Sequence, residues 1–524
     1  MKHLRELFDD DLDALNAAYG LDYWSNRINA WEDFPDVRGT INGSLGSEWD
    51  KFRRSLVTEF LSWQADIVRE YKRDDQFVTH NLDFDWGPGW SYGLQPAVDH
   101  FDVAKVLDVA GTDIYHPTED ALTGREIAFG GDMTRSVKGG QNYLVLETQA
   151  QGQMGWLPYP GQLRLQALSH IASGADGVMY WHWHSTHNGF ETYWKGVLSQ
   201  DFEPNPTYLE AAEVGKELAQ AGDSLHGIQK DNKVAVLVSN ESLTALDWFG
   251  IETGFPSELG GSIGYNDVLR WVYDTLFDLN IEVDFVDAEQ GDLTGYSMVV
   301  APALYVASRE MLDKLRRYVE DGGNLVSTFR SFVTNEHVKV WSDRLPHSLT
   351  DVFGFGYDQF TRPSGVKVAF EGDLSDQLDE ADSTDLDVSH FMELLVPGED
   401  STAEMLASYD HHAWRGPAIT RNRYGKGSAT HVGAMVSQDV LTEVLKLVAK
   451  DAGATDWAQD LAGQVSVRRG RNAAGRDIAF FFNYSKDSVI FTAPITGANL
   501  ATGEPVSGGI EVEVAPWDVL TIES

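Results

Sequence analysis

The sequence predicts an α/β protein in three parts: the second half of a (β/α)8 TIM barrel, a doubly wound α/β domain, and a small antiparallel β-domain. Three observations carry this. Short apolar runs alternate with helical stretches up to about residue 225. A second βαβ series follows from about residue 230. The last stretch holds only short alternating runs, the period of half-buried strands. The expected boundaries are 1–228, 229–455 and 456–524.

In the first part, residues 49–71 read as an amphipathic helix, with Phe52, Leu56, Phe60, Trp63 and Ile67 at helical spacing. Strands are expected at 77–81, 106–115, 143–147 and 177–184, with helices at 96–106 and 161–173. Four βα units are half of an eight-unit barrel, and a half barrel leaves two raw strand edges and an open lumen. The chain opens with Leu4, Leu7, Leu12, Leu15 and Ala18, which look like helix interior. A doubly wound open sheet is the alternative, but no Gly-rich phosphate turn follows any of these strands. In the second part, strands at 233–238, 281–286, 297–301 and 323–328 alternate with helices at 268–279 and 311–320. The Gly-rich stretch 260–264 follows a loop and reads as one. The acidic stretch 371–402 reads as a solvated excursion. Strands at 465–468, 478–483, 489–492 and 510–514 make the third part.

Composition narrows the function. Forty Lys and Arg face 81 Asp and Glu, a net charge of −41. Nucleic acid and anionic membrane are thereby excluded as partners, since both need clustered cations. The acidic residues are spread along the whole chain, which points to a surface adapted to high salt, where the charge is screened. There are no cysteines, so no disulfide and no thiolate metal site exist. No apolar run reaches the ~18 residues that span a bilayer. The stretch 298–306 is short and broken by Pro302. No signal peptide is visible, and a cytoplasmic location is expected.

Carboxylates at the C-terminal ends of parallel barrel strands face an active site. Glu147 ends the apolar run 143–147 and is either catalytic or a solvated strand-end group. Trp156 follows within one loop; an indole either stacks on a sugar face or packs in the core. His182 and His184 lie two apart, on one strand face, and with His187 make a possible metal set; hydrogen-bonded histidines at a barrel rim are the commoner arrangement. Glu191 either holds a hydroxyl or pairs on the surface.

Five stretches together resemble glycoside hydrolase family 42 β-galactosidases: 12–16 with Tyr23, Trp24 and Ser25; 77–81; 112–117; 146–149 with Trp156; and 174–191. The resemblance spans the chain, in the order and approximate spacing of the family. It implies a retaining glycosidase acting on terminal β-D-galactosides, with Glu147 as nucleophile. It further implies that Trp24 and Trp156 wall the galactose site, that Glu191 binds its hydroxyls, and that Tyr115 sits beside the nucleophile. A homotrimer is implied, and no cofactor. Trp194 stands where the family often has His, which affects one sugar hydrogen bond, and Gln200 stands where His is expected. The family's zinc-binding cysteines are absent. Its acid/base lies in an Asn-Glu pair ahead of the helix at 12–18, and no such pair precedes Leu12. The acid/base is therefore expected upstream of this sequence, and the chain alone is expected to be inactive. Asp113 and Glu191 match other family positions and are weaker substitutes. The rival readings are a non-catalytic sugar-binding or assembly fragment and an α-L-arabinopyranosidase of the same type.

Overall fold

The computed structural model describes residues 1–152, 155–256, 261–375, 384–399 and 401–524. Its first part is a four-stranded parallel sheet in sequence order: β1 (Asn81–Leu82), β2 (Gly111–Asp113), β3 (Tyr143–Gln149) and β4 (Ala175–Trp181). Helices His100–Val106, Arg125–Ser136 and Gln162–Ala172 connect the strands, and Pro206–Leu225 follows β4. Their starts are chemically marked. Asp99 accepts from the Asp102 amide, and Asn205 accepts from the Tyr208 amide with Pro206 in the first turn. Among the described residues the sheet is open at both sides rather than closed on itself.

Several expected elements are displaced. The strand foreseen at 77–81 pairs only as Asn81–Leu82, because the Val78 amide donates to the Asp108 carboxylate, 2.8 Å away, instead of to a ladder. The stretch 106–115 is mostly not strand: Val106 ends a helix, and only Gly111–Asp113 pairs. β4 stops at Trp181, so His182 and His184 lie beyond the strand rather than on one of its faces. Helix Gly43–Tyr71 starts earlier than foreseen, with Asn42 accepting from the Leu45 amide. It lies flat on Trp248, because a Cβ at Gly46 would come within 2.3 Å of that indole. Leu56, Phe60, Trp63 and Ile67, read as its apolar face, are exposed.

The second part is an eight-stranded sheet. β5 (Val234–Val238), β6 (Val283–Asp287), β7 (Met298–Ala301) and β8 (Asn324–Thr328) are parallel in the order β8-β7-β5-β6, and Gly427–Val432 pairs parallel to β8. Pro417–Tyr424, Glu404–Asp410 and Lys367–Phe370 extend it antiparallel. The stretch 371–402 is not simply a solvated excursion. Within it Val388–Glu393 forms a strand against Ala434–Val436 and buries Phe391, Met392 and Glu393; residues 376–383 and 400 lie outside the described set. Of the Gly-rich stretch, Gly260 also lies outside it, and Gly264 begins helix Tyr265–Asp278. The third part is a five-stranded antiparallel sheet, with Asp477–Asn483 between Ser466–Arg471 and Asp518–Glu523. Beside it Val489–Thr492 pairs with Glu511–Val514.

A buried ionic cluster ties the three parts together. Asp132 accepts from Arg468 and Arg135 and, at 2.8 Å, from the Tyr273 hydroxyl. Arg135 reaches Asp284 at 2.6 Å, and Glu282 takes both Arg468 (3.1 Å) and Lys230 (2.6 Å). Burial alone would raise the Asp132 carboxyl, but Arg468 and Arg135 more than offset it and hold it below the ordinary range. Burial pulls Lys230 down to about 8 against the opposing charge of Glu282. No helix among the described residues is long and apolar enough to cross a membrane.

Candidate active site

Neighbouring positions on β1, β2 and β3 bring Asn81, Asp113 and Glu147 side by side; β3 runs two residues past Glu147, to Gln149, rather than stopping on it. Register pairs Asp113 with Glu147 across β2 and β3. The Asn81 amide Nδ2 donates to Asp113 Oδ1 at 2.5 Å and lies 3.4 Å from Glu147 Oε2. The other Glu147 oxygen, Oε1, accepts from the Tyr115 hydroxyl at 2.5 Å. Glu147 is half-buried, and both its oxygens are therefore oriented before any ligand arrives.

The electrostatics follow from crowding four carboxylates, Glu147, Asp113, Asp83 and Glu191. Burial raises Glu147, the charges of Glu191 and Asp83 add to this, and the Tyr115 hydrogen bond and His182 oppose it. Burial and then the charge of Glu147 push Asp113 up to about 7, against the Asn81 hydrogen bond. Tyr115 is buried and donates to a carboxylate, so its hydroxyl is pushed far above the ordinary phenol range.

Aromatic rings surround this group. Trp194 meets Tyr115 edge-on at 5.0 Å, and Trp86 lies 5.1 Å from Tyr115 and 6.2 Å from Trp194. Trp86 Nε1 donates to Asp83 Oδ1 at 2.8 Å. Trp156 packs against Trp90 at 5.8 Å, and its carbonyl accepts from Lys195. Gln151 donates to the Gly196 carbonyl at 2.5 Å, so the loops after β3 and β4 are pinned together. Exposed Glu191 turns its backbone carbonyl to the Trp194 amide, 3.0 Å away.

The structure thus gathers Glu147, Tyr115 and Trp194 by direct contact, with Glu191 near enough to act on Glu147 by its charge. Trp156 stands with Trp90. Trp24 is exposed, and its ring partner among the described residues is Tyr23, at 5.2 Å. His182 Nε2 lies 3.1 Å from the Trp194 carbonyl, while His184 and His187 pack on Phe202. Among the described residues no three His, Asp or Glu side chains converge as metal ligands. Sequence reasoning missed Asn81, Asp83 and Trp86. The available signal was the run 81–90, polar groups and tryptophans placed directly after a strand.

A strand-end carboxylate under aromatic walls is an arrangement suited to a glycoside hydrolase. The comparisons agree on that class. Family models described as β-galactosidase, β-galactosidase trimerisation domain and β-galactosidase C-terminal domain match residues 1–221, 232–454 and 464–523. The chain belongs to the glycoside hydrolase family 42 β-galactosidases. It is 26% identical over 529 residues to the β-galactosidase LacZ of Lactobacillus acidophilus, an alignment that covers 98% of this chain and 74% of that one. It is 28% identical over 458 residues to the β-galactosidase bgaB of Geobacillus kaustophilus, covering 85% and 63%. Among solved structures it resembles the polyextremophilic β-galactosidase of the haloarchaeon Halorubrum lacusprofundi, with TM-score 0.82 and 25% identity over 100% of this chain and 75% of that one. The fold is also that of Gan42B, a family 42 β-galactosidase from G. stearothermophilus, with TM-score 0.86, 23% identity and the same coverage.

Proposed function

We propose that this chain carries the nucleophile side of a retaining β-galactosidase site. The observation that carries the reading is Glu147, held near the end of β3 by Tyr115 on one oxygen and Asn81 on the other. Glu147 attacks the anomeric carbon of a terminal galactoside as the glycosidic bond breaks, giving a galactosyl-enzyme. A second carboxyl group protonates the leaving oxygen and then activates the water that releases galactose. Retention requires the two groups about 5–5.5 Å apart on opposite sides of the sugar. Asp113 is a poor candidate for the second group, because it lies on the adjacent strand, on the same side as Glu147, and is engaged by Asn81. The acid/base is assigned to a carboxylate entering from the open side of the sheet, outside residues 1–524. Trp24, Trp156 and Trp194 form the sugar walls and Glu191 holds hydroxyls. The acidic surface serves a salt-rich setting, and 232–454 serves a homotrimer.

The test is mechanism-based labelling of the active assembly. An activated 2-fluoro-galactoside is expected to label Glu147 covalently, and Glu147→Gln is expected to abolish turnover while leaving galactose binding largely intact. Labelling of any other carboxylate overturns the assignment.

A further inference from the structure

Just past β1 the chain makes a hairpin beside the site, residues 83–93. Burial alternates into it. Leu82 and Phe84 are buried while Asn81 and Asp83 are exposed, so Asp83 stands on the side of Asn81, one step nearer the mouth. Asp83 Oδ1 accepts from Trp86 Nε1 and from the Phe84 amide, both at 2.8 Å, and no described residue bonds Oδ2. The charge of Asp83 raises both Asp113 and Glu147, so its carboxylate faces the same space as theirs. The hairpin also places two indoles. Trp86 stands 6.2 Å from Trp194 and Trp90 stands 5.8 Å from Trp156, so each meets a tryptophan assigned to the galactose wall. The hairpin is braced. The Asp85 amide donates to the Gly93 carbonyl at 2.9 Å, and the Tyr92 amide to the Asp85 carbonyl at 2.8 Å. The Ser91 amide donates to the Tyr115 carbonyl and the Tyr115 amide to Ser91 Oγ, both at 3.0 Å. From the second part, Asn266 donates to Asp85 Oδ2 at 3.1 Å and accepts from the Leu94 amide at 3.0 Å. A Cβ at Gly93 would fall 2.2 Å from Asn266 Cγ, so this brace closes only on glycine.

We propose that Asp83, Trp86 and Trp90 form the subsite for the leaving group and select a second sugar there. The inference rests on Glu147 as the nucleophile and names the substrate class of that same site. With the anomeric carbon of galactose against Glu147, the bond that breaks points away from Glu147. The leaving group therefore lies outward of the galactose, at the level of the hairpin rather than of Asn81. An indole face beside a carboxylate oxygen matches the two characters of a pyranose. Its C–H face lies on the Trp86 ring, and one of its hydroxyls donates to Asp83 Oδ2. An aryl leaving group uses the ring and has no hydroxyl for Oδ2. An anionic leaving group meets the like charges of Asp83, Glu147 and Glu191. The substrate is thus a neutral galactosyl disaccharide or oligosaccharide, and the bracing of the hairpin presents its second sugar with a site already formed.

The experiment measures kcat/KM of the active enzyme for a β-galactosyl-glucose disaccharide and for nitrophenyl β-D-galactoside, and takes their ratio. Asp83→Asn keeps a carbonyl oxygen for Trp86 and puts an N–H donor in place of the acceptor Oδ2. It should lower the ratio of disaccharide to aryl galactoside about 10–100-fold, the worth of a hydrogen bond to a charged group. The ratio cancels any effect of the lost charge on Glu147, which both substrates share. Binding is read separately in Glu147→Gln by titration calorimetry with the intact disaccharide and with galactose. The disaccharide should bind more tightly, and adding Asp83→Asn or Trp86→Ala should remove most of the difference. An unchanged ratio overturns the proposal. So does an equal loss on both substrates, which places Asp83 against the galactose itself, and so does a disaccharide that binds no more tightly than galactose. Labelling by the activated 2-fluoro-galactoside separates this proposal from the nucleophile assignment. Label on another carboxylate with a lowered ratio removes the nucleophile and sustains the subsite. Label on Glu147 with an unchanged ratio does the reverse.

Discussion

At the scale of single residues, the site is governed by what each carboxylate is given to bond. The Tyr115 hydroxyl bonds the ionised form of Glu147, and burial opposes that form. Tyr115→Phe removes the donor and leaves the burial, so the Glu147 carboxyl must rise. In the complete assembly the acid limb of the kcat/KM profile should move to higher pH. The loss at the optimum should be ~10–100-fold, the worth of a hydrogen bond to a charged group. An unmoved limb would show that Tyr115 only fills space. Asp113 allows a signed prediction about stability. Its carboxyl is raised to about 7 in the folded chain, against 3.8 ordinarily, so between those values the native state holds a proton that the unfolded state has released. Stability contributed by this group is therefore full below about 4 and is lost as pH rises through about 7. Asp113→Asn should raise the Tm at pH 8 by a few degrees and leave it nearly unchanged at pH 4. Equal shifts at both pH values would contradict the assigned coupling.

At the scale of elements, the strand β2 depends on a missing side chain. A Cβ at Gly111 would stand 2.3 Å from Leu146 Cδ1 and 2.8 Å from the His80 carbonyl, so β1, β2 and β3 close only around glycine. Gly111→Val should wedge Asn81 away from Asp113 and Glu147. It should cost about 1–3 kcal/mol of stability, as overpacking does, together with activity in the assembly; thermal melting and labelling rate measure both. The sequence shows why some elements are legible and others are not. β5 and β7 are apolar runs, β3 begins with one, and Glu147 stands out because that run stops on a charge. Helix Arg125–Ser136 escapes notice because it is buried almost all round, with Gly130 and Gly131 closely packed on Ile114, Ser173 and Tyr143, and with Asp132 and Arg135 reaching Arg468, Tyr273 and Asp284 in the other two parts. Phe391 and Met392 are hidden in an acidic stretch, and their burial is set by the pairing of Val388–Glu393 with Ala434–Val436. Asn81 and Trp86 are invisible as site residues because their roles arise from neighbours thirty to more than a hundred residues away, Asp113, Glu147 and Trp194.

At the scale of the whole molecule, two kinds of charge must be separated. The net charge of −41 is mostly solvent-facing surplus, and its mutual repulsion acts over the screening length. That length is ~10 Å at 0.1 M salt and ~3 Å at 1 M, so repulsion across the surface fades steeply over this range. The cluster of Asp132, Arg135, Asp284, Arg468, Glu282 and Lys230 is buried between the three parts, where salt hardly reaches. The two should respond independently. Thermal midpoints measured from dilute buffer to multimolar KCl should climb steeply for the natural chain. Asp132→Ala should remove about 3–5 kcal/mol at every salt concentration, the cost of leaving buried guanidinium groups without their carboxylate, and should keep the same slope against salt. A flat response of the natural chain would rule out screening as the reason for its composition. A slope that collapses in Asp132→Ala would mean that salt acts through the junction between the parts and not through the surface.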